Sequence, residues 1–544
     1  MNTRQLQTDK NQKLYHALLG ILLVCALAMM MLLSYWACKY SYYGAVDGRT
    51  RGVLVGDKTW AHIAVFLAAS LCTMGIDKVL MKKDKSQQEK ICLCMLIVTS
   101  VIAFILGVFY VCKNPYYPVG DQINTTAFAA YCRDGNFSML SIGGYVGMYQ
   151  QQKGLAILYE ILFTLFGDFN YRPAKILHVV WWILTILAGY GFLKLNTDRP
   201  VFRMLYCVMM LGCFPLLFYL PYIYGDVLSI SFGIILFYGV AAYEHSGQKR
   251  YIALASFAAG LAVLARKNTW IVLVAVAVYV LLVSLRKKKV RYLMAGTAIL
   301  LTAALSVKAV DVIYEVRSGY PSGVGVPSIL WVAMGLQETE GRAGVYNRYQ
   351  QATFTDYDCQ QELAAQQGKE YIRERLEEFS QDPGMAFDFF KNKLEGQWIE
   401  PMYAALESTE SFEEGAELSP VLESLYYGEL GRTIWKLTNY YQSILYLAGL
   451  MALVMLGILW WKKKEVPISL WLPWIAVFGG FLFSILWEAK SRYVFPYCVF
   501  MILYAPEGLY QTGLLLCKLP KLRKFKKSGH TQDKGEEASL RETA

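Results

Sequence analysis

Charged residues are scarce in this chain. Only 17% of its 544 residues are Asp, Glu, Lys or Arg, 56% are hydrophobic, and the mean hydropathy is +0.32. Soluble domains carry about 25% charged residues, so this composition excludes a single soluble globule. The chain also lacks GxxxxGK[ST], HExxH, CxxC and any histidine cluster at metal-ligand spacing. The sequence therefore does not support an intrinsic ATPase motor or a zinc hydrolase, and it predicts no resident cofactor and no metal-ligating residue.

Cysteine is also too sparse for a disulfide scaffold, with 12 residues in the whole chain. Most cysteines lie within apolar runs, where a small thiol serves as a core residue; examples are Cys25, Cys72, Cys92, Cys94, Cys207 and Cys213. Lys and Arg exceed Asp and Glu by 11, but this excess is unevenly distributed along the chain. It does not indicate nucleic acid binding.

Apolar segments long enough to cross a bilayer are abundant. A spanning helix needs about 20 apolar residues, because every backbone amide must find its partner inside the segment. This criterion predicts twelve spans, near 14–36, 59–75, 91–112, 174–195, 201–220, 226–243, 251–265, 269–285, 292–310, 440–461, 466–487 and 492–515. The predicted fold class is an all-α polytopic membrane protein with about 12 transmembrane helices.

The orientation of these spans follows from Lys and Arg, which remain on the cytoplasmic side of short loops. With both termini in the cytoplasm, all six basic connections fall on that side; they are Lys78–Lys90, Lys194–Arg203, Lys249–Arg250, Arg286–Arg291, Lys462–Lys464 and Lys518–Lys527. The apolar segment 154–166 is only 13 residues long and contains Glu160. If it crossed the membrane, five of the six clusters would be external. We therefore predict that it is a helix lying in the outer interface.

This topology divides the chain into six parts. They are an N-terminal tail with three transmembrane helices (1–112), an external loop with the interfacial helix (113–173), a six-helix transmembrane core (174–310), an acidic external loop or cap (311–438), the last three transmembrane helices (439–517), and a basic then disordered cytoplasmic tail (518–544). The cap contains 22 acidic and 10 basic residues, a net charge of −12, whereas the rest of the chain carries +23. It is predicted to be mainly helical.

Two basic clusters are exceptions to the charge rule, because the topology places them outside. Arg266 and Lys267 lie in a short turn, and Lys490 and Arg492 follow the eleventh span. Cations at this surface suit an anion such as a lipid phosphate, so all four are candidate phosphate-binding residues that should converge on one external site. Alternatively, they extend to ordinary headgroups or pair with Glu488 and nearby acids.

Candidate acids lie on the same side. Asp121, in the first large external loop, is the candidate general base, and Asp226, at the start of the sixth span, is a second catalytic candidate. Gln122, Tyr224 and Glu488 are candidates for the rest of the pocket. Alternatively, Asp121 is a solvated loop residue and Asp226 is a helix N-cap.

Together, the external loop acid, the stretch LFGDFNYRPAKILHVV and the segment SRYVFPYCVFMILYAPEG resemble the GT-C superfamily of membrane glycosyltransferases. Bacterial relatives of the protein O-mannosyltransferases and aminoarabinose transferases look most similar. The resemblance covers roughly 110–310 and 466–510. It implies that Asp121 matches the family's loop acid and that Arg492 and Pro496 match its Arg-x-x-x-Pro element. In this chain the acid follows the third span instead of the first, and Gln122 stands where many members have a second acid, which leaves a divalent cation open.

The resemblance implies an enzyme that transfers a sugar, with inversion, from a polyprenyl-phosphate donor to an acceptor on the external face. The lipid-linked donor is then a substrate, the acceptor is a wall polymer, glycolipid or protein, and the location is a bacterial plasma membrane. Two alternatives are a transporter or flippase for a polyprenyl-linked or anionic substrate, and a noncatalytic scaffold or sensor. A transporter predicts charges deep in several spans, and few are found there.

Overall fold

The structure is a computed structural model that describes residues 3–43, 53–464 and 466–518, with side chains from residue 11 onward. It is mainly helical. In chain order the first thirteen helices are α1 (Thr3–Lys39), α2 (Thr59–Leu80), α3 (Lys85–Lys113), α4 (Asp121–Arg133), α5 (Tyr145–Met148), α6 (Lys153–Phe166), α7 (Arg172–Asn196), α8 (Pro200–Gly212), α9 (Phe214–Phe218), α10 (Asp226–Ser246), α11 (Lys249–Ala265), α12 (Trp270–Lys287) and α13 (Val290–Ser318).

The part after α13 contains six further helices before the chain re-enters long apolar helices. They are α14 (Ile329–Gly335), α15 (Tyr349–Asp356), α16 (Gln361–Gln381), α17 (Pro383–Trp398), α18 (Ala405–Ser408) and α19 (Pro420–Tyr427). The C-terminal helices are α20 (Glu429–Trp461), α21 (Leu472–Leu486), α22 (Ser491–Met501) and a last helix over 505–518. Two antiparallel strand pairs join β1 (Tyr40–Tyr43) to β2 (Val53–Gly56) and β3 (Glu338–Thr339) to β4 (Arg342–Ala343).

Nine helices within the described ranges are long and apolar enough to cross a membrane: α1, α2, α3, α7, α10, α12, α13, α20 and α21. The prediction of an all-α, membrane-embedded chain is confirmed at this level. Several helices run beyond the predicted spans, because their helical structure continues into polar residues. The span predicted over 292–310 extends to Ser318, and the helix containing the span predicted over 440–461 begins at Glu429.

The other three predicted spans are shorter or divided helices, so the total of twelve remains a prediction. The segment 201–220 is split between α8 and α9, where Pro215 lies in the first turn of α9 and lacks an N–H. The segment 251–265 corresponds to α11, which has 17 residues. The segment 492–515 is divided by a turn at 502–504. The predicted tail, apart from Lys518, lies outside the described residues.

The short apolar segment 154–166 forms α6, a helix of 14 residues. Two ion pairs join it to α13: Lys153 lies 2.5 Å from Asp311, and Arg317 lies 2.6 Å from Glu160. Gly154 allows the backbone of α6 to contact the backbone of α11, because a Cβ there would lie 2.6 Å from the carbonyl oxygen of Leu264. These contacts hold α6 against the C-terminal ends of α11 and α13. Its position at the interface remains a prediction.

The central helix of the bundle is α10. In its most apolar stretch of 18 residues, 89% of the residues are buried. It packs against α7, α11 and α22. Close approach is possible because small residues face the neighbouring helices; Gly239 lies against the backbone of Tyr251, and Gly233 against the ring of Phe500. The first residue of this buried helix is Asp226. The fold therefore places a carboxylate at one end of the most enclosed helix.

Candidate functional site

A glycine sets the position of Asp226. Gly225 is the N-cap residue of α10, and a Cβ at this position would overlap the carbonyl oxygen of Ala265, the last residue of α11. The absence of a side chain lets the start of α10 contact the end of α11. Arg266 follows Ala265 directly, so this contact places Asp226 beside Arg266.

Asp226 forms a buried ion pair and does not cap its helix. Its Oδ2 lies 3.1 Å from Nη1 of Arg266, and its Oδ1 lies 3.9 Å from Nε of Arg492. The side chain of Asp226 is 4% exposed and that of Arg492 is 6% exposed. The N-cap explanation of Asp226 is therefore wrong, because Gly225 occupies that position and no side chain caps the helix. One carboxylate faces two guanidinium groups, which leaves an excess positive charge in a buried place.

Tyrosine rings surround the two guanidinium groups. Arg266 lies 5.0 Å from the ring centre of Tyr224 and 5.5 Å from that of Tyr493. Arg492 lies 5.3 Å from the ring of Tyr222 and between 5.4 and 5.5 Å from the same two rings. Cation–π contacts of this kind contribute about 0.5–2 kcal/mol and keep the planar groups oriented. Tyr224 is itself held by Gln152, which donates to its hydroxyl at 2.6 Å.

The hydroxyl of Tyr222 connects the cationic residues to the start of α4. It accepts hydrogen bonds from the side-chain amide of Gln122 and from Nη1 of Arg492. Gln122 is 7% exposed and lies in the first turn of α4, next to Asp121. Two predicted site residues from distant parts of the sequence, Gln122 and Arg492, are thus joined through one tyrosine.

Asp121 is the first residue of α4 and, unlike Asp226, is exposed to solvent. The residue before it, Gly120, has a φ of +58°, which favours glycine and turns the chain sharply into the helix. Oδ1 of Asp121 accepts a hydrogen bond of 2.8 Å from the hydroxyl of Tyr145. In the described part of the chain this carboxylate has no cationic partner within 4 Å, so it can accept a proton from a molecule bound nearby.

Three of the four predicted cations line one cavity of about 100 Å³, and the fourth does not. Arg266, Lys267 and Arg492 share this cavity, here called the cationic cavity, with Tyr224 and Tyr493. The prediction that all four meet is therefore partly wrong. Lys490 instead lines a neighbouring cavity, together with Glu488 and Ser491.

Glu488 lies close to the cations and is 6% exposed. Burial raises the pKa of this carboxyl to about 7, and the charge of Asp121 acts in the same direction. Lys490 and a hydrogen bond from the hydroxyl of Tyr493, at 3.3 Å, oppose the increase. Near neutral pH, Glu488 therefore neutralises only part of the positive charge around it.

Two larger cavities adjoin the cationic cavity. The first, of about 310 Å³, is reached past Lys267 and has mainly apolar walls from α11, α12 and α13; we call it the apolar cavity. Its apolar lining includes Val263, Leu264, Trp270, Val307 and Val310.

The second, of about 490 Å³, lies beside Glu488 and Lys490 and has polar walls; we call it the polar cavity. Its charged lining consists of Arg342, Lys393, Glu395, Glu400, Glu407, Glu488 and Lys490.

The segment predicted as an external cap contributes walls to all three cavities. Trp331 of α14 lines the cationic cavity and stacks on Trp487, with ring centres 5.9 Å apart. Ser328 accepts a hydrogen bond of 3.3 Å from Lys267. Lys393 of α17 is buried in the polar cavity, and it donates to the carbonyl oxygen of Gly335 at 2.5 Å. The cap therefore encloses the site.

The divalent cation left open by the resemblance has no clear ligand set. Within the described ranges, no group of three or more His, Cys, Asp and Glu side chains is placed to hold a metal ion. Beside Asp121, the amide of Gln122 donates to Tyr222 and is directed away from a shared ligand position. No family model matches this chain, and no curated protein matches it.

Sequence reasoning missed the tyrosines and glutamine that organise the site. Tyr222, Tyr493, Tyr145 and Gln152 hold Arg492, Glu488, Asp121 and Tyr224 in place. A signal for Tyr222 was present in PYIYGD, where two tyrosines at i and i+2 precede a candidate acid, and Tyr493 directly follows Arg492. The chain contains 39 tyrosines, so the sequence alone does not distinguish these positions from the others.

The buried ion pair of Asp226 is expected to contribute to the free energy of unfolding. Asp226→Asn leaves Arg266 and Arg492 without a counter-charge, so we expect a loss of about 3 kcal/mol, whereas removing one partner of an exposed pair costs at most about 1 kcal/mol. The matched control is Asp168→Asn, which removes the half-exposed partner of Arg133. Thermal unfolding in detergent, followed by tryptophan fluorescence, measures both. Equal unfolding temperatures for the two variants would contradict the structural role of Asp226.

Proposed function

We propose that this protein is a glycosyltransferase of the GT-C type, which moves a sugar from a polyprenyl-phosphate donor to an acceptor on the external face of the membrane. The observation that supports this best is the Tyr222 hydroxyl, which joins the residue next to Asp121 to the buried Arg492. It brings a candidate base and a candidate phosphate-binding group to one end of the bundle. Asp121 and Arg492 both lie in the parts of the sequence, roughly 110–310 and 466–510, that resemble the GT-C superfamily.

The two adjoining cavities match the two parts of a lipid-linked donor. The donor phosphate binds in the cationic cavity, where Arg266 and Arg492 outnumber Asp226 and Lys267 adds a further charge. The polyprenyl chain lies in the apolar cavity, whose wall comes from α11, α12 and α13. Because the sugar arrives already activated on a lipid, the chain needs no nucleotide-binding domain.

Asp121 acts as the general base. It removes the proton of the acceptor hydroxyl as that oxygen attacks the anomeric carbon, so an O–H bond breaks and a glycosidic bond forms. Tyr145 binds Oδ1 and orients the carboxylate. Asp226 is less suited to this role, because both of its oxygens face guanidinium groups inside the protein.

The guanidinium groups stabilise the leaving group. As the bond between the anomeric carbon and the phosphate oxygen breaks, the electron pair passes to the phosphate and polyprenyl phosphate departs. Arg492 and Arg266 face the oxygen where this charge develops, and their tyrosine neighbours keep them preoriented. The polar cavity beside Glu488 and Lys490 is the place for the acceptor. Inversion at the anomeric carbon is implied by the family resemblance.

A donor-consumption assay separates this function from transport. Proteoliposomes are loaded with a panel of radiolabelled polyprenyl-phosphate sugars and supplied with a cell-envelope extract as acceptor. A transferase releases free polyprenyl phosphate together with a labelled product. A flippase moves the intact donor across the bilayer and leaves its phosphodiester bond unbroken, and that result would contradict the proposal.

The proposed topology has both termini in the cytoplasm of a bacterial plasma membrane, with 113–173 and 311–438 external. We expect a cysteine at Asn170 to react with an impermeant reagent in intact cells and a cysteine at Arg286 to react only after permeabilisation, in a background without native cysteines. The two positions lie at opposite sides of the predicted core. Labelling of Arg286 alone in intact cells would invert the topology and make the site cytoplasmic.

The proposed donor site should bind more weakly as the pH rises. Burial raises the pKa of Glu488 to about 7 and lowers that of Lys393 to about 7, so one group gains a negative charge and the other loses a positive charge over the same range. Burial also raises the pKa of Glu400 to about 7, and its ionisation adds to the effect. A sugar-linked phosphodiester does not titrate here. We expect donor affinity to fall roughly threefold to tenfold between about pH 6 and pH 8.

Glu488→Gln separates this effect from a general pH dependence of the protein. Because the amide cannot ionise, the variant should retain tighter binding at about pH 8 and show a flatter profile. Binding of a fluorescent polyprenyl-phosphate sugar, measured by anisotropy at each pH, gives the comparison. An unchanged profile would show that the charge of Glu488, in the neighbouring polar cavity, does not affect the donor phosphate.

A further inference from the structure

A second basic cavity lies at the opposite ends of the helices that form the proposed catalytic site. Asp226 is at the start of α10 and Glu244 near its end, about 27 Å away along the helix. The cavity has a volume of about 600 Å³ and lies among the ends of α1, α10, α12 and α20. Its basic lining consists of His16, His245, Arg286, Lys287, Lys463 and Lys464.

The acidic residue in the described lining of this cavity, Glu244, already has partners. Glu244 is the one acidic residue among its described lining residues. Its Oε1 lies 2.8 Å from Nζ of Lys287, and its Oε2 accepts a hydrogen bond of 2.7 Å from the backbone N–H of Ser469. The Tyr279 hydroxyl donates to the same Oε2 at 3.1 Å. Glu244 therefore fixes the wall and does not neutralise the other bases.

Lys463 and Lys464 are two adjacent bases in the lining of this cavity. Both are exposed, and neither forms an ion pair within 4 Å of any acid in the described part of the chain. They follow the C-terminal end of α20, where Lys463 has a φ of +53°. This conformation favours glycine, so a lysine is held there at some cost in backbone energy. The turn directs two adjacent positive charges to the mouth of one cavity.

Aromatic groups complete the walls. Trp460 donates from its indole nitrogen to the carbonyl oxygen of His16 at 3.2 Å, which joins α20 to α1. Trp471 also lines the cavity, and its indole N–H is buried without a hydrogen-bond partner. Outside the cavity, Leu14 of α1 is 49% exposed and Ile458 of α20 is 40% exposed. Basic and aromatic residues above an exposed apolar surface are typical of the membrane interface.

We propose that this cavity binds the phosphate group of an anionic membrane lipid, whose acyl chains lie along the exposed apolar faces of α1 and α20. The lysines contact the phosphate, and the buried indole N–H supplies a further donor. Four candidate spans meet here, so a bound headgroup joins the ends of α1, α10, α12 and α20. The site depends on neither the sugar chemistry nor the donor site, because it lies at the other end of α10 and α12.

The test uses the full chain in neutral detergent and a fluorescent phosphatidylglycerol as the probe, with binding followed by anisotropy. We expect Lys463→Gln/Lys464→Gln to weaken binding about 30-fold, as two interfacial lysines should. The matched control is Lys82→Gln/Lys83→Gln, which changes the same charge in another exposed helix-end turn outside the cavity. Glycerol 3-phosphate serves as a competitor to distinguish a soluble phosphate from a lipid.

The outcomes are distinct. Selective loss in Lys463→Gln/Lys464→Gln, without competition by millimolar glycerol 3-phosphate, supports the lipid site. Effective competition by glycerol 3-phosphate supports the same phosphate site but assigns it to a soluble ligand. Equal weakening in both double variants, or no weakening in either, overturns the proposal.

Discussion

Asp121→Asn is expected to lower the rate of sugar transfer by about 100-fold or more while leaving donor affinity within about threefold of the native value. The amide keeps the shape of the side chain but cannot take the acceptor proton, so the loss falls on turnover and not on binding. Asp121 is exposed and lies at the start of α4, where its hydrogen bond from Tyr145 can also be made to an amide oxygen. The fold should therefore persist.

The control for this variant is Asp134→Asn, which makes the same change at the other end of α4. It should retain native transfer. Turnover is measured as release of labelled polyprenyl phosphate, and donor affinity as anisotropy of a fluorescent donor. If Asp121→Asn retains near-normal transfer, Asp121 is not the base, and Asp226 takes that role if Asp226→Asn abolishes transfer in protein that is still folded. If both variants remain active, the proposed chemistry is wrong.

Arg492→Ala is expected to impair both donor binding and turnover, with a combined loss in kcat/KM of about 1000-fold. In the proposed mechanism, Arg492 contacts the donor phosphate before the bond breaks and also faces the charge that develops during cleavage. Its removal leaves Asp226 paired with Arg266 at 3.1 Å, so no acid is left without a counter-charge. The protein should therefore fold, although the lost contacts with Tyr222, Tyr224 and Tyr493 lower its unfolding temperature.

Two companion variants define the role of this guanidinium. Arg492→Lys retains the charge but loses the planar contacts with Tyr222 and Tyr224, so it should recover only part of the activity. Arg172→Ala removes an exposed basic residue at the start of α7, outside the cationic cavity, and should have little effect. Equal activity of Arg492→Ala and Arg172→Ala would remove Arg492 from the site.

Apolar runs were sufficient to predict most of the bundle, because a membrane-spanning helix satisfies its backbone within one continuous segment. The runs could not show where a helix is divided. Pro215 separates α9 from α8, and a turn at 502–504 divides the last predicted span, because local backbone bonding overrides a continuous hydropathy signal. The cap was recognisable as acidic and helical, but its contacts with the site were not.

The most useful signal for the site came from the Lys and Arg residues that the predicted topology places on the external side. It selected Arg266 and Arg492, which meet at Asp226 although they are more than 200 residues apart in sequence. It could not show that Lys490 faces another cavity, because the sequence does not show that α22 begins between Lys490 and Arg492. Nor could it find Tyr222, whose role depends on two partners from α4 and α22.

The most direct test of the proposed function is the position of a bound donor phosphate. A cryo-EM map of the full chain with a polyprenyl phosphate should show the phosphate in the cationic cavity, within about 4 Å of the guanidinium groups of Arg266 and Arg492. The polyprenyl chain should extend between α11, α12 and α13. A phosphate bound on another face of the bundle, with the cationic cavity filled only by water, would contradict the assignment of this site to the donor.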